Sequence, residues 1–319
     1  PGGPPLQLPD GEAPGGGQPT VSAPARWLRG HRLPRIALVV LTFLLPLTNV
    51  VSAAIVVMTA RGDGWRSAAI DVVAALAMLG ALVVLTSGAE GAPSPGSAAL
   101  GAGALWGGGL LGGLLLRRFG SVDLALQALV VAAVAGVALA SVVIPDARAY
   151  WQPVLQALIQ AAGLPQVEGL PQDWLATVAG LMHGVIGASL LSTLILGLML
   201  GLWLDRDSDA ADWRRKFLEL RLGRVLSLAV AVAALLLAAG LVPLGGGLLL
   251  VLGTGLAAQG LAIVHWTADE RRWPRIWPLL LYVPLLLGAG SAGLLLLGLS
   301  LAGLVDNGLA LRRRRTDVV

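Results

Sequence analysis

The sequence has no cysteine, a single lysine and three histidines, and charged residues make up only 13% of its 319 positions. Without cysteine, the chain can form no disulfide, no thiolate metal site and no cysteine nucleophile. His31, His183 and His265 are too far apart for the usual spacing of metal ligands. Because soluble domains carry about 25% charged residues, the shortage of charge argues against a soluble globular protein.

Catalytic motifs are also missing from the sequence. We find no serine–histidine–aspartate arrangement, no paired carboxylates inside an apolar run and no His-Glu-x-x-His zinc motif. The glycine run at 107–109 lies inside an apolar segment and lacks the Lys-Ser ending of a phosphate-binding loop. The sequence therefore predicts a protein that is not an enzyme and that uses no cofactor or metal.

Apolar residues dominate what is present: they make up 56% of the chain, and the mean hydropathy is +0.80. A helix needs about 20 predominantly apolar residues to cross a bilayer. Two runs, 36–60 and 276–305, are interrupted, by Pro46 and by a glycine pair at 288–290. Each of these is either one kinked span or a broken hairpin that turns back. Six other runs are good candidates for full spans, at residues 67–88, 98–116, 123–144, 174–204, 225–242 and 245–266.

The positions of the 22 basic residues decide between these alternatives. If each interrupted run crossed once, basic clusters would face both sides of the membrane, against the preference of Lys and Arg for cytoplasmic loops. If each run turns back, every basic residue except Arg148 lies on one side. We therefore predict an all-α polytopic transmembrane helical bundle. It has six full spans plus two broken or re-entrant hairpins near the N- and C-terminal ends, and both termini are cytoplasmic.

Composition also predicts the domain organisation. Residues 1–25 are rich in Pro and Gly, which predicts a disordered tail, and residues 26–315 form one integral membrane domain followed by a short tail at 316–319. The spacing of apolar residues in the loop 145–173 predicts an amphipathic helix on the extracytoplasmic surface. The same kind of pattern in 205–224 predicts a segment at the cytoplasmic interface. Since no signal-peptide pattern is visible, we expect a multi-pass protein of the bacterial inner (cytoplasmic) membrane.

Polar residues inside the apolar runs are the candidate ligand-binding residues. Asn49, Gln259 and Tyr282 could line a pocket between the two hairpins, where broken helices supply free backbone groups. The structural alternative for Gln259 is a hydrogen bond between helices. His183 lies between two glycines of a packing face, and it is either a hydrogen-bonded packing residue or a proton-relay residue.

Charged residues near the predicted cytoplasmic surface are candidates for contact with lipid headgroups or with a partner protein. Because the basic residues lie in short clusters at the ends of apolar runs, they indicate a membrane surface rather than nucleic acid. Asp71, one turn inside a span, either pairs with Arg61 or Arg66 or has a function inside the membrane. The candidate contact residues are Arg221, Arg224, Asp306, Arg312 and Arg313.

Short motifs occur in order along most of the chain. Over residues 29–315 this series resembles the YybS-like family of predicted bacterial membrane proteins, a family without an assigned activity. The motifs are RG at 29–30, Pro46, SAA at 52–54, RG at 61–62, FLELRLGR at 217–224, QGLA at 259–262, His265, Tyr282, LVDN at 304–307 and the arginine tail.

The YybS-like family is distantly similar to the substrate-binding membrane components of energy-coupling-factor vitamin transporters. This resemblance implies a helical bundle that holds a small molecule. Two functions stay open. A small-molecule binding or transport module predicts a cavity at mid-depth near Asn49, Gln259 and Tyr282. A structural or accessory subunit, or a homo-oligomer, predicts contacts with another chain through the glycine faces at 108–113 or 180–201.

Overall fold

The structure is a computed structural model that describes residues 23–45, 47–86, 94–163, 173–205, 210–274, 276–287, 289–309 and 312. Within these ranges the chain forms fourteen helices and no strand. The helices are α1 (Ala23–Gly30), α2 (Arg32–Leu44), α3 (Asn49–Gly62), α4 (Trp65–Thr86), α5 (Pro95–Phe119), α6 (Val122–Val143), α7 (Ala147–Ala161), α8 (Trp174–Leu204), α9 (Ala210–Leu218), α10 (Gly223–Ala238), α11 (Val242–Glu270), α12 (Ile276–Leu280), α13 (Val283–Leu286) and α14 (Ala289–Leu309).

Six helices in the described part of the chain are long and apolar enough to cross a membrane, namely α4, α5, α6, α8, α11 and α14. The chain is therefore an all-α, multi-pass integral membrane protein, and the predicted fold class is confirmed. One detail differs. The predicted span 225–242 is the 16-residue helix α10, whereas α14, which was expected to be part of a hairpin, has 21 residues. Helix α10 is shorter than a full span because it begins at the level of Gln259, inside the bundle, whereas the neighbouring helix α11 continues to Glu270.

The first interrupted run forms a broken hairpin, as predicted. Helices α2 and α3 are antiparallel, because Arg35 bonds to Asp63 near their open end and the Val39 carbonyl accepts a hydrogen bond from Ser52 nearer the turn. The chain reverses near Leu47, which has a positive φ of 69°. At a rise of about 1.5 Å per residue, the 14-residue α3 is about 21 Å long, less than the roughly 30 Å of hydrocarbon that a full span must cross.

Protein covers the re-entrant helix α3, in which residues 52–60 are all buried. It packs against α5 and α8, where glycines allow the backbones to approach closely. A Cβ atom added to Gly113 of α5 would lie 2.6 Å from the Cβ of Ala60, and one added to Gly197 of α8 would lie 2.6 Å from the Cβ of Ala53. The re-entrant helix α3 is therefore enclosed by other helices of the same chain.

The second interrupted run also turns back, although its two limbs are unequal. Helices α11 and α14 are parallel, because contacts pair Gly253 with Ser300 and Gln259 with Asp306 in the same sequence direction. The chain between them must therefore return along the bundle before α14 starts, and it does so through the short helices α12 and α13. The predicted break at 288–290 coincides with the start of α14 at Ala289.

Contacts between helix ends place the basic clusters that the structure describes at one end of the bundle, which we call the basic end. Arg117 at the end of α5 donates to the Gly62 carbonyl at the end of α3, and Arg214 of α9 pairs with Asp269 at the end of α11. Arg148 lies at the opposite end, beside Gly180 near the start of α8. The common location inferred from charge is thus present in the folded chain.

The predicted surface segments are helical where the structure describes them. Helix α7 corresponds to the predicted amphipathic helix in 145–173, and α9 lies within 205–224. Helix α1 begins at Ala23, three residues inside the range predicted as a disordered tail. Residues 1–22 and 313–319 lie outside the described residues.

Candidate functional site

A groove lies halfway along the bundle between α8, α10, α11 and α14. Its volume is about 660 Å³, and apolar side chains cover most of its wall. One side of the groove is open, and Leu297 and Leu301 of α14 at this opening are each more than half exposed. The residues that line the groove are near the middle of α8, α11 and α14, so the opening faces the depth that lipid tails occupy. This volume lies within the range of about 300–1,000 Å³ that is typical of small-molecule sites.

Among the described residues that line this groove, the polar side chains are the hydroxyls of Ser189, Ser192, Thr254 and Ser300, and none is charged. Ser192 donates to the Ala188 carbonyl, at 2.8 Å. Thr254 likewise donates to the carbonyl four residues before it, and Ser300 donates across the helix pair to the Gly253 carbonyl, at 2.8 Å. Each hydroxyl oxygen keeps lone pairs that can accept a hydrogen bond. The groove can therefore hold an uncharged, largely apolar molecule.

Gln259 is fully buried and crosslinks three parts of the chain. Its Oε1 accepts a hydrogen bond from the Leu222 amide at 2.9 Å, and its Nε2 donates to Asp306 and Asn307 on α14, both at 3.0 Å. These bonds occupy both ends of the side-chain amide. The structural interpretation of Gln259, a hydrogen bond between helices, is thus the arrangement that the folded chain contains.

The loop between α9 and α10, residues 219–222, explains why Gln259 and its neighbours are polar. Leu220 and Leu222 are buried, so the polar backbone groups of this non-helical segment need partners inside the protein. Asp123 accepts from the amide of Arg221, and Arg312 donates to the carbonyl of Leu220. Side chains from α6 and α11, together with Arg312 beyond α14, thus replace the hydrogen bonds that water would otherwise provide.

The structure places two of the predicted surface residues in the interior. Asp306 and Arg312 are buried, and they form an ion pair with an N–O distance of 2.7 Å. This differs from the predicted contact with lipid or a partner, because Arg312 turns back to bind the carbonyls of Leu218, at the end of α9, and of Leu220 in the loop. Arg224 is exposed at the start of α10 and Arg221 is half-buried, while Arg313 lies outside the described residues.

The other predicted ligand-binding residues make separate contacts. Asn49, with its amide oriented to satisfy its neighbours, donates to the Phe43 carbonyl and closes the first hairpin. The Tyr282 hydroxyl lies 3.2 Å from Nε2 of His265. His183 is buried beside Trp151 of α7, with their ring centroids 6.3 Å apart. Asn49, Tyr282 and His183 therefore contact different residues and do not form one pocket. None of the three lines the groove.

A network of ion pairs connects the first hairpin to the helices around it at the basic end. Asp71 bonds to Arg32 at 2.6 Å and to Arg35 at 2.5 Å, instead of to the predicted partners Arg61 or Arg66. A cavity of about 10 Å³ lies beside Arg35 and Asp71, enough for roughly one water molecule. The network joins α1, α2, α3 and α4 to the end of α8, and it comprises Arg29, Arg32, Arg35, Arg61, Asp63, Asp71 and Asp205.

Internal helix contacts occupy the glycine faces that were predicted to meet another chain. A Cβ atom on Gly112 would lie 2.9 Å from a methyl carbon of Leu198, and one on Gly201 would lie 2.9 Å from the Ala54 carbonyl oxygen. Gly184 packs directly against the backbone of Gly247. These glycines hold α3, α5, α8 and α11 together within one chain.

Sequence reasoning missed the groove because its polar groups are single hydroxyls, which are common in transmembrane helices. The available signal was weak: Ser189, Ser192, Thr254 and Ser300 are single hydroxyl residues within apolar runs. Only the packing of α8, α11 and α14 shows that these hydroxyls lie around one opening. Comparisons with protein-family models, with curated proteins and with solved structures found no match to this chain.

Proposed function

We propose that this protein is a membrane component that binds, and in complex with other subunits transports, a small and largely apolar molecule. The observation that carries the proposal is the groove of about 660 Å³ at mid-depth between α8, α10, α11 and α14. An apolar wall with a few polar groups is typical of small-molecule sites. The sequence has no nucleotide-binding motif, so active transport would require a separate energising subunit.

The proposed environment is the inner membrane of a bacterium, with the basic end in the cytoplasm. The positive-inside rule supports this orientation, since the basic end holds every basic cluster that the structure describes and Arg148 lies at the other end. The proposal also includes the resemblance to the YybS-like family, whose implied role, a bundle that holds a small molecule, agrees with the groove.

The alternative, a structural or accessory subunit, receives less support. It relied on glycine faces that are free to contact another chain. The glycines at 108–113 and 180–201 that pack most closely contact other helices of this chain instead, so they no longer favour the alternative.

A pair of glycine substitutions on α14 tests the proposal. Gly293 lines the groove, and a Cβ atom there would meet open space, so Gly293→Leu should fill part of the groove without disturbing the packing. Gly298 on the same helix also has open space at its Cβ position but does not line the groove, so Gly298→Leu is the matched control.

The measurement is mass spectrometry of small molecules extracted from each variant after purification in mild detergent. We expect one molecule in stoichiometric amount from the wild type and from Gly298→Leu, and its loss from Gly293→Leu. A stoichiometric protein partner without any retained small molecule would contradict the proposal and favour the accessory subunit. Equal retention by both variants would show that the molecule binds elsewhere.

A further inference from the structure

The hydrogen-bonding state of the groove hydroxyls points to the chemical class of its ligand, an inference that rests on the proposed function. Four hydroxyls line the groove, those of Ser189, Ser192, Thr254 and Ser300, and the last three already donate to backbone carbonyls. Ser300 has two such acceptors within 2.8 Å, the carbonyls of Gly253 and Leu296. Their free lone pairs make these groups acceptors toward any molecule in the groove.

The location of these acceptors decides which molecules benefit from them. A phospholipid keeps its hydrogen-bonding groups at the membrane surface, and its acyl chain has no donor to offer a hydroxyl at mid-depth. A neutral molecule that carries an O–H group on an apolar body would lose hydrogen bonds on entering hydrocarbon, which is costly. The groove offers such a molecule an acceptor where the surrounding lipid offers none.

The entrance restricts the ligand further. The opening lies among exposed leucines of α14, including Leu296 and Leu297, and none of the described residues that line the groove is charged. A ligand that enters through this side passes through hydrocarbon, so an ionised group on it would pay a desolvation cost that no residue of the groove offsets. We propose that the groove selects a membrane-dissolved, uncharged lipid alcohol, of the long-chain or isoprenoid type, over both phospholipid chains and ethers of the same shape.

The test uses the full chain in nanodiscs of saturated phosphatidylcholine and a long-chain alcohol that carries a diazirine for photolabelling. Labelling should map to peptides of α11 and α14 that line the groove. Geranylgeraniol and its methyl ether serve as competitors, since they have nearly the same shape and differ in the donor. We expect the alcohol to compete about three- to tenfold better, as one membrane hydrogen bond allows.

Variants of the hydroxyls link this preference to the groove. Replacing all four groove hydroxyls together (Ser189→Ala, Ser192→Ala, Thr254→Val and Ser300→Ala) should leave labelling intact and abolish the preference for the alcohol. Ser141→Ala is the matched control, because Ser141 of α6 makes the same type of bond to Val137 and does not line the groove. The single variants, each reducing the preference in part, provide the same readout if the quadruple variant does not fold.

Each outcome distinguishes this inference from the proposed function. Equal competition by the alcohol and the ether would overturn the lipid-alcohol selectivity and leave the groove as a binding site. A preference that persists in the quadruple variant would also overturn it, because the hydroxyls would not be the acceptors. Labelling that neither competitor displaces, or that Gly293→Leu does not reduce, would overturn both the selectivity and the proposed function.

Discussion

Replacing Gln259 with leucine is expected to destabilise the protein substantially, because this side chain satisfies buried polar groups on two other segments. Gln259→Leu removes the acceptor of the Leu222 amide and the donor to Asp306 and Asn307. A buried polar group left without a partner costs about 1–3 kcal/mol. Counting the orphaned amide and one orphaned acceptor on α14, we expect the free energy of unfolding to fall by about 2–6 kcal/mol.

Gln127→Leu is the matched control for this substitution. Gln127 also contacts the loop at 219–222, but its amide nitrogen lies 3.5 Å from the Arg221 carbonyl, at the limit for a hydrogen bond. The same chemical change should therefore cost less than about 1 kcal/mol there. Unfolding by SDS titration in mixed micelles, followed by tryptophan fluorescence, gives both free energies. If Gln259→Leu costs no more than Gln127→Leu, the proposed support of the loop by Gln259 is wrong.

Three further perturbations test the fold. Arg312→Ala removes the charged partner of the buried Asp306 carboxylate and the donor to the carbonyls of Leu218 and Leu220. It should cost about 3–5 kcal/mol in the same titration, and a loss below about 1 kcal/mol would contradict the buried ion pair. Gly113→Val should prevent folding, because its Cβ would lie 2.7 Å from a backbone oxygen of α3, whereas Gly107→Val, which meets open space, should have a normal melting curve. Because the chain has no cysteine, single cysteines report its orientation. Arg148→Cys should react with an impermeant maleimide added from the periplasmic side, whereas Arg118→Cys should react only after the membrane is permeabilised. The reverse pattern would contradict the proposed topology.

The first hairpin illustrates what charge and hydropathy can predict. An apolar run that contains Pro46 and has arginines at both ends cannot cross once without placing basic residues on both sides. The structure contains the hairpin, with Arg35 and Asp63 joined at its open end. The prediction succeeded because the rule concerns which loops share a side of the membrane, and this is a property of sequence order.

The candidate site illustrates what this reasoning could not predict. Gln259, Asn49 and Tyr282 are polar residues in apolar runs, and the sequence gives no means of deciding whether they meet a ligand or one another. In the structure Gln259 supports a buried loop and Asn49 closes a hairpin. The reason is that a polar side chain in a membrane protein satisfies whichever unpaired backbone group lies nearest in space, and this group is often distant in sequence.

The amino-acid sequence by itself determined the helical class, the membrane location and the common side of the basic loops, because hydrocarbon thickness and the cost of moving arginine across a bilayer act on local composition. Only the tertiary structure decided which polar residues are internal crosslinks and where an opening remains. Helix α14 lies parallel to α11, since Ser300 donates to the Gly253 carbonyl and Gln259 donates to Asp306. That packing buries Asp306 and leaves the groove beside Ser300, and no pattern along the chain specifies where two helices separate.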